Sequence, residues 1–139
     1  MERDLWQRHK LVFVFLRRSD EVKPFVTKDK SMIREFFHPL HEIAGEIPRN
    51  ITFSIALAAV KPGKRTLRHI HEASHEFYYI TQGAGIIQLN SQKLQIKENT
   101  LIYIPAKTRH TVTNTGKDDL LILCICSPPY THEDTRIVQ

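Results

Sequence analysis

Hydrophobic and polar positions along this chain alternate in short runs broken by turn residues, which is the pattern of strands rather than helices. Ser31 to Phe37 is a candidate strand, closed by His38-Pro39. Asn50 to Val60 is a long apolar one, stopped by Lys61-Pro62-Gly63. Shorter candidates follow at Thr66 to His71, Glu76 to Thr81, Gly85 to Leu89, Lys93 to Lys97, Leu101 to Ile104, Arg109 to Asn114 and Leu120 to Cys126. Asn90-Ser91 predicts a hairpin turn. Helical periodicity shows only around Pro39 to Ile47, and the leading stretch, Met1 to Glu21, reads equally as strand or helix. Strands recurring every ~8–12 residues predict an all-β fold, an antiparallel sandwich or barrel. Leu120-Leu121-Ile122-Leu123 is apolar on both faces, so its strand lies between two packed layers or at a subunit interface.

Composition narrows the class. With 139 residues, 41% of them apolar, the chain suits one domain and excludes disorder. The longest apolar runs, Leu11 to Leu16 and Leu120 to Cys126, fall short of the ~18 residues of a membrane span. Arg17-Arg18 stands where a signal peptide would need a small-residue cleavage site, so the expected setting is cytoplasmic, with no membrane partner. The formal charge of +5 is diffuse: residues 1–30 hold eight Lys/Arg against five Asp/Glu, and the remaining excess is scattered. No helix-turn-helix pattern or long basic run accompanies it, so no nucleic-acid partner is expected. Cys124 and Cys126, two apart on a strand, point the same way and are expected to be buried structural thiols rather than a disulfide.

The chemistry concentrates between Pro62 and Gly83. His69 and His71 are two apart on a predicted strand, so both imidazoles project from one face, about 6.6 Å apart along the chain. Glu76 opens the next strand, where its carboxylate can join them, and His110 follows Pro105 on a later strand. Three neutral imidazoles and a carboxylate form a set suited to Fe, Mn, Ni, Zn or Cu, with positions left open for a ligand. His75 has the opposite strand parity to Glu76 and is expected to face away. His9, His38 and His41 have no partner pattern, and His132 reads as an exposed turn residue.

These residues resemble the cupin superfamily. Its first motif, G-x5-H-x-H-x4-E-x6-G, is met at Gly63, His69, His71, Glu76 and Gly83. Its second, G-x5-P-x-G-x2-H-x3-N, is met at Pro105, His110 and Asn114, while Asn99 and Lys107 stand where the family has glycine. Asparagine substitutes readily for glycine at positive φ; lysine there implies strain or a changed turn. The resemblance covers roughly residues 50 to 126 and implies a double-stranded β-helix, the jelly-roll barrel, as a single domain. Residues 1–49 would pack on that barrel as N-terminal strands or extension, and 127–139 would form a tail. It also implies one divalent transition metal ion held by His69, His71, Glu76 and His110. Glu76 reads alternatively as a free base beside a three-histidine metal. Cupins commonly pair, and Leu11 to Leu16 is too apolar for an open edge, so a homodimer is expected.

By parity Tyr78, Ile80 and Val112 line the barrel with Ile87, Leu89 and Ile102 or Ile104, forming an apolar pocket for a small molecule. Glu76 and Tyr78 are the catalytic candidates; Lys64, Arg65 and Arg68 read as solvated turn charges. The fold alone does not give the function. One expectation is a metal-dependent enzyme acting on a small oxygen-rich molecule as isomerase, decarboxylase or lyase, or dioxygenase. Rivals are a non-catalytic metal-dependent binding or sensor protein, and a metal kept for barrel stability.

Overall fold

Alternation of apolar and polar residues drives the architecture seen in a computed structural model, which describes residues 16–41 and 50–139. Eleven strands form among them: β1 Phe25–Val26, β2 Met32–Phe37, β3 Ser54–Val60, β4 His69–His71, β5 His75–Gln82, β6 Ala84–Leu89, β7 Gln92–Lys97, β8 Leu101–Ile104, β9 His110–Asn114, β10 Leu120–Ser127 and β11 Thr135–Ile137. They make two antiparallel sheets, ordered β1-β2-β3-β10-β5-β8 and β11-β4-β9-β6-β7. This is the jelly-roll arrangement expected. No helix among the described residues is long and apolar enough to cross a membrane. Leu11 to Phe15, His9 and most of the helical pattern at Pro39 to Ile47 lie outside the described residues.

Strand β5 shows the logic in one line. His75 and Phe77 are exposed, whereas Glu76, Tyr78 and Ile80 are buried between the sheets. The core they enter includes Ile87, Ile104, Val112, Leu120 and Ile122, with Leu89 packed against it. Strand β10 explains the doubly apolar run. Leu120 and Ile122 fill the core, while Leu121 and Leu123 lie half-buried on the outer surface, opposite Ala59 and Leu57 of β3.

Two strands were not expected from the sequence, β1 and β11. Each is two or three residues long, too short for periodicity to register, and each forms only because a neighbour pairs with it. The predicted strand at Thr66 to His71 begins regular pairing only at His69; Arg65 makes a single bridge to Thr113 beforehand. The hairpin turn is as expected, with Asn90 at φ 53° and Leu89 paired to Gln92.

Close approach of strands requires glycine at one point. A Cβ on Gly85 would lie 2.3 Å from the Thr113 carbonyl oxygen. The two non-glycines of the second motif adopt the backbone hand that glycine would have, Asn99 at φ 61° and Lys107 at φ 64°. The Lys107 turn keeps its function, since its amide donates to the His71 carbonyl at 2.7 Å. Asn114 serves the fold: its Nδ2 donates to the Val60 and Asp118 carbonyls and its Oδ1 accepts from the Gly116 amide.

Candidate metal centre

Register brings the histidines together. His69 of β4 pairs directly with His110 of β9, and their ring centroids lie 4.1 Å apart; His71 follows on the same face, 5.1 Å from His69. Glu76 comes from β5 in the facing sheet. All four residues are buried, and one ligand atom from each lies within 4.8 Å of every other.

The outer nitrogen of each imidazole is tethered. His69 Nδ1 donates to the Leu67 carbonyl at 2.8 Å and His110 Nδ1 to the Thr108 carbonyl at 2.9 Å. His71 Nδ1 lies 3.1 Å from Thr135 Oγ1, which itself donates to the Thr131 carbonyl and therefore accepts from the imidazole. These bonds place the proton on Nδ1 and leave a bare Nε2 facing the centre. Glu76 Oε2 stands 3.0 Å from both His71 Nε2 and His110 Nε2. The alignment is off the hydrogen-bonding direction, so all three atoms are buried without a hydrogen-bond partner. Buried polar atoms are rarely left so, and a cation among them would satisfy every one. The donor set fits a divalent transition metal.

The ionisable groups of the site act on one another. Burial lowers the His69 pKa to about 4, aided by His110. Burial also opposes a charge on His71, but the Glu76 carboxylate outweighs it and raises that pKa. Glu76 is held well below the usual carboxylate range, since His110 and His71 override its own burial. Burial pushes Tyr78 well above its usual value, with Glu76 adding to the effect, so it remains a phenol able to donate.

The second oxygen of Glu76 has a neighbour that sequence reading missed. Cys126 Sγ donates to Oε1 at 3.2 Å, and burial followed by the Glu76 charge keeps the thiol protonated. The free cysteines do point the same way, as expected, but into the barrel beside Glu76. Parity with Leu120 and Ile122 signals only that these thiols point inward; the contact with Glu76 arises from the pairing of β10 with β5. The tail also has more chemistry than its sequence suggested, because Thr135 of β11 pairs with His71 and bonds its ring. His75 faces away and stacks on Tyr103, and His132 is exposed, both as expected. Glu35, His38 and His41 form a second cluster. There the two rings stack nearly parallel, at 16°, and His38 already meets the Tyr130 carbonyl and the Leu40 amide, so in-plane lone pairs do not converge on one point.

A partly open cavity of about 50 Å³ lies beside His69, His71 and Glu76, several times the ~10–15 Å³ that one water needs. Ala56, Ala58, Val60, Val112, Ile122 and Tyr78 form its apolar wall.

Fold, motifs and comparison agree on the class. The sequence model of the cupin domain matches residues 56–126, and the chain belongs to the cupin family. It is 44% identical over 120 residues to an uncharacterized protein of Methanocaldococcus jannaschii, covering 86% of this chain and 91% of that one. An oxalate-binding protein of Thermotoga maritima is 27% identical over 108 residues, 78% of this chain and 89% of the relative. The crystal structure of a predicted oxalate decarboxylase from Thermotoga maritima superposes with a TM-score of 0.70 at 21% identity, covering 82% of this chain and 99% of that one.

Proposed function

We propose that this cupin is a metal-dependent enzyme that holds one divalent transition metal ion through His69, His71, Glu76 and His110 and acts on a small oxygen-rich molecule in the barrel. The observation that carries the reading is the convergence of two bare imidazole Nε2 atoms and a carboxylate oxygen, all buried and unpartnered, beside a cavity that His71 and Glu76 line. When bound, such a metal supplies Lewis acidity to ligand oxygens. The chain supplies the rest: apolar walls, a protonated phenol at Tyr78 able to donate, and Glu76 as an ionised carboxylate. The oxygen-rich ligands in the names of the Thermotoga maritima proteins support the substrate class. A purely binding role is favoured by one of those names, the oxalate-binding protein, and turnover separates the two readings.

Metal analysis of protein purified without chelator should find close to one equivalent per chain. The His69→Ala, His71→Ala double variant should lose it while keeping an all-β circular dichroism spectrum. Wild-type protein free of metal, and indifferent to added Fe, Mn, Co, Ni, Cu or Zn in thermal melts, sinks the proposal. Ligands that stabilise each metal-loaded form without ever being converted turn it into a binding protein.

A further inference from the structure

The cavity beside the metal ligands has an unusual charge. Two carboxylates besides Glu76 line it, Asp29 and Glu35, and among the described residues no lysine or arginine does. The basic side chains Arg65, Arg68 and Lys93 instead line a separate hollow, together with Thr111 and Thr113.

Asp29 is the better placed of the two acids. It sits in the tight turn between β1 and β2, where the Thr27 amide donates to the Ser31 carbonyl at 2.9 Å and Lys30 takes φ 70°. Its Oδ1 accepts from the Ser31 amide at 3.2 Å, from Ser31 Oγ at 2.8 Å and from Thr27 Oγ1. Its own carbonyl accepts from the Leu67 amide at 2.7 Å, which fixes the turn against the segment leading into β4. Thus Oδ1 is saturated and Oδ2 is held 3.6 Å from His69 Nδ1, a nitrogen already committed to Leu67. The charge therefore stays beside the centre with no hydrogen bond consuming that oxygen.

A divalent ion bound by three neutral imidazoles and Glu76 retains a single positive charge, and Asp29 cancels it. A dianion entering such a cavity meets no net attraction, and in a site of low dielectric each added negative charge is repelled by Asp29. A neutral carbonyl or hydroxyl compound, or a monoanion, does not suffer this in the same degree. Resting on the metal site proposed above, we propose that the ligand of this barrel is a small neutral or singly charged oxygen compound, and that Asp29 is the specificity residue that turns dicarboxylates away. The oxalate in the names of its relatives then does not carry over to this chain.

Oxalate, oxamate and oxamide test this because they share one shape and differ in charge. Their affinities for Co(II)-loaded wild-type protein and Asp29→Asn are measured by titration calorimetry, with cobalt content checked before and after. Comparing variant with wild type cancels the intrinsic preference of the metal for anions. Asn keeps the Oδ1 acceptor, so the turn should persist. Expected is a gain on Asp29→Asn of about tenfold for oxamate and about a hundredfold for oxalate, with oxamide unchanged. An equal gain for all three, or none for oxalate, overturns the proposal while leaving the metal site intact. Failure of wild-type protein to take up cobalt overturns both. Should Asp29→Asn not fold, Asp29→Ser, which also removes the charge and keeps a side-chain oxygen for the turn, must show the same ordering by ligand charge; a flat response there also overturns the proposal.

Discussion

The histidine side and the carboxylate side of the centre are held in different ways. The outer nitrogens of His69 and His110 end on main-chain carbonyls two residues before each ring, and that of His71 ends on a hydroxyl anchored by another carbonyl. Tethers of this kind move only if the strands move. The outer oxygen of Glu76 ends on a thiol, itself a side chain of a different strand. The imidazoles therefore inherit the rigidity of the five-stranded sheet. The carboxylate depends on a contact that one substitution removes.

The comparison breaks most severely if Glu76 loses its charge. Glu76→Gln keeps the shape and removes the anion, leaving three neutral ligands. Metal affinity, measured by chelator competition, should fall about a hundredfold or more. A loss of only a few-fold would mean that the imidazoles carry the site alone. The pH profile adds a second readout. Glu76 raises the His71 pKa above 6.5, so His71 keeps its proton to higher pH and competes with the metal there. Wild-type affinity should thus rise with pH through that raised value and level off above it. In Glu76→Gln the rise should move to lower pH.

A smaller effect tests the histidine side. Thr135→Val retains the volume but deprives the His71 Nδ1–H of its acceptor, so the ring can flip its tautomer and turn a proton toward the centre. A ten- to hundredfold weakening of metal binding is expected, the usual range for such outer partners, with Thr135→Ser restoring it. Unchanged affinity in Thr135→Val would show that strand pairing alone orients the ring.

How much of this was legible in the sequence follows from the same division. Two-residue periodicity suffices to put His69 and His71 on one face of a single strand, whereas His110 follows from its spacing to Pro105 in the cupin motif that the chain resembles. Positive φ at Asn99 and Lys107 was also readable, since the motif names the positions where the backbone must turn that way. Thr135, Cys126 and Asp29 were not. The first two act on ligands 64 and 50 residues away, through pairings that only the folded sheets create. Asp29 reaches His69 from a turn whose flanking strand is two residues long and leaves no trace in hydropathy.

The smallest predicted effect is the one most specific to the carboxylate side. Burial and the nearby Glu76 charge push the Cys126 thiol well up, so it stays protonated and donates to Oε1. That bond leaves Oε2 to face the centre alone. Cys126→Ala frees Oε1, and the carboxylate can then turn to offer both oxygens. Loss of one hydrogen bond of this strength should change metal affinity by about two- to tenfold. The sharper readout is the visible spectrum of the Co(II)-loaded protein, whose band intensity reports the number of ligands. Cys126→Ala should shift it and Cys126→Ser should restore it, because the hydroxyl donates where the thiol did. Cys124→Ala is the control: its thiol meets the Ile122 carbonyl at 3.6 Å rather than Glu76, and its loss should leave the spectrum alone. If Ala and Ser at position 126 behave alike, sulfur volume rather than its proton orients Glu76, and the two sides of the centre differ less than their hydrogen bonds imply.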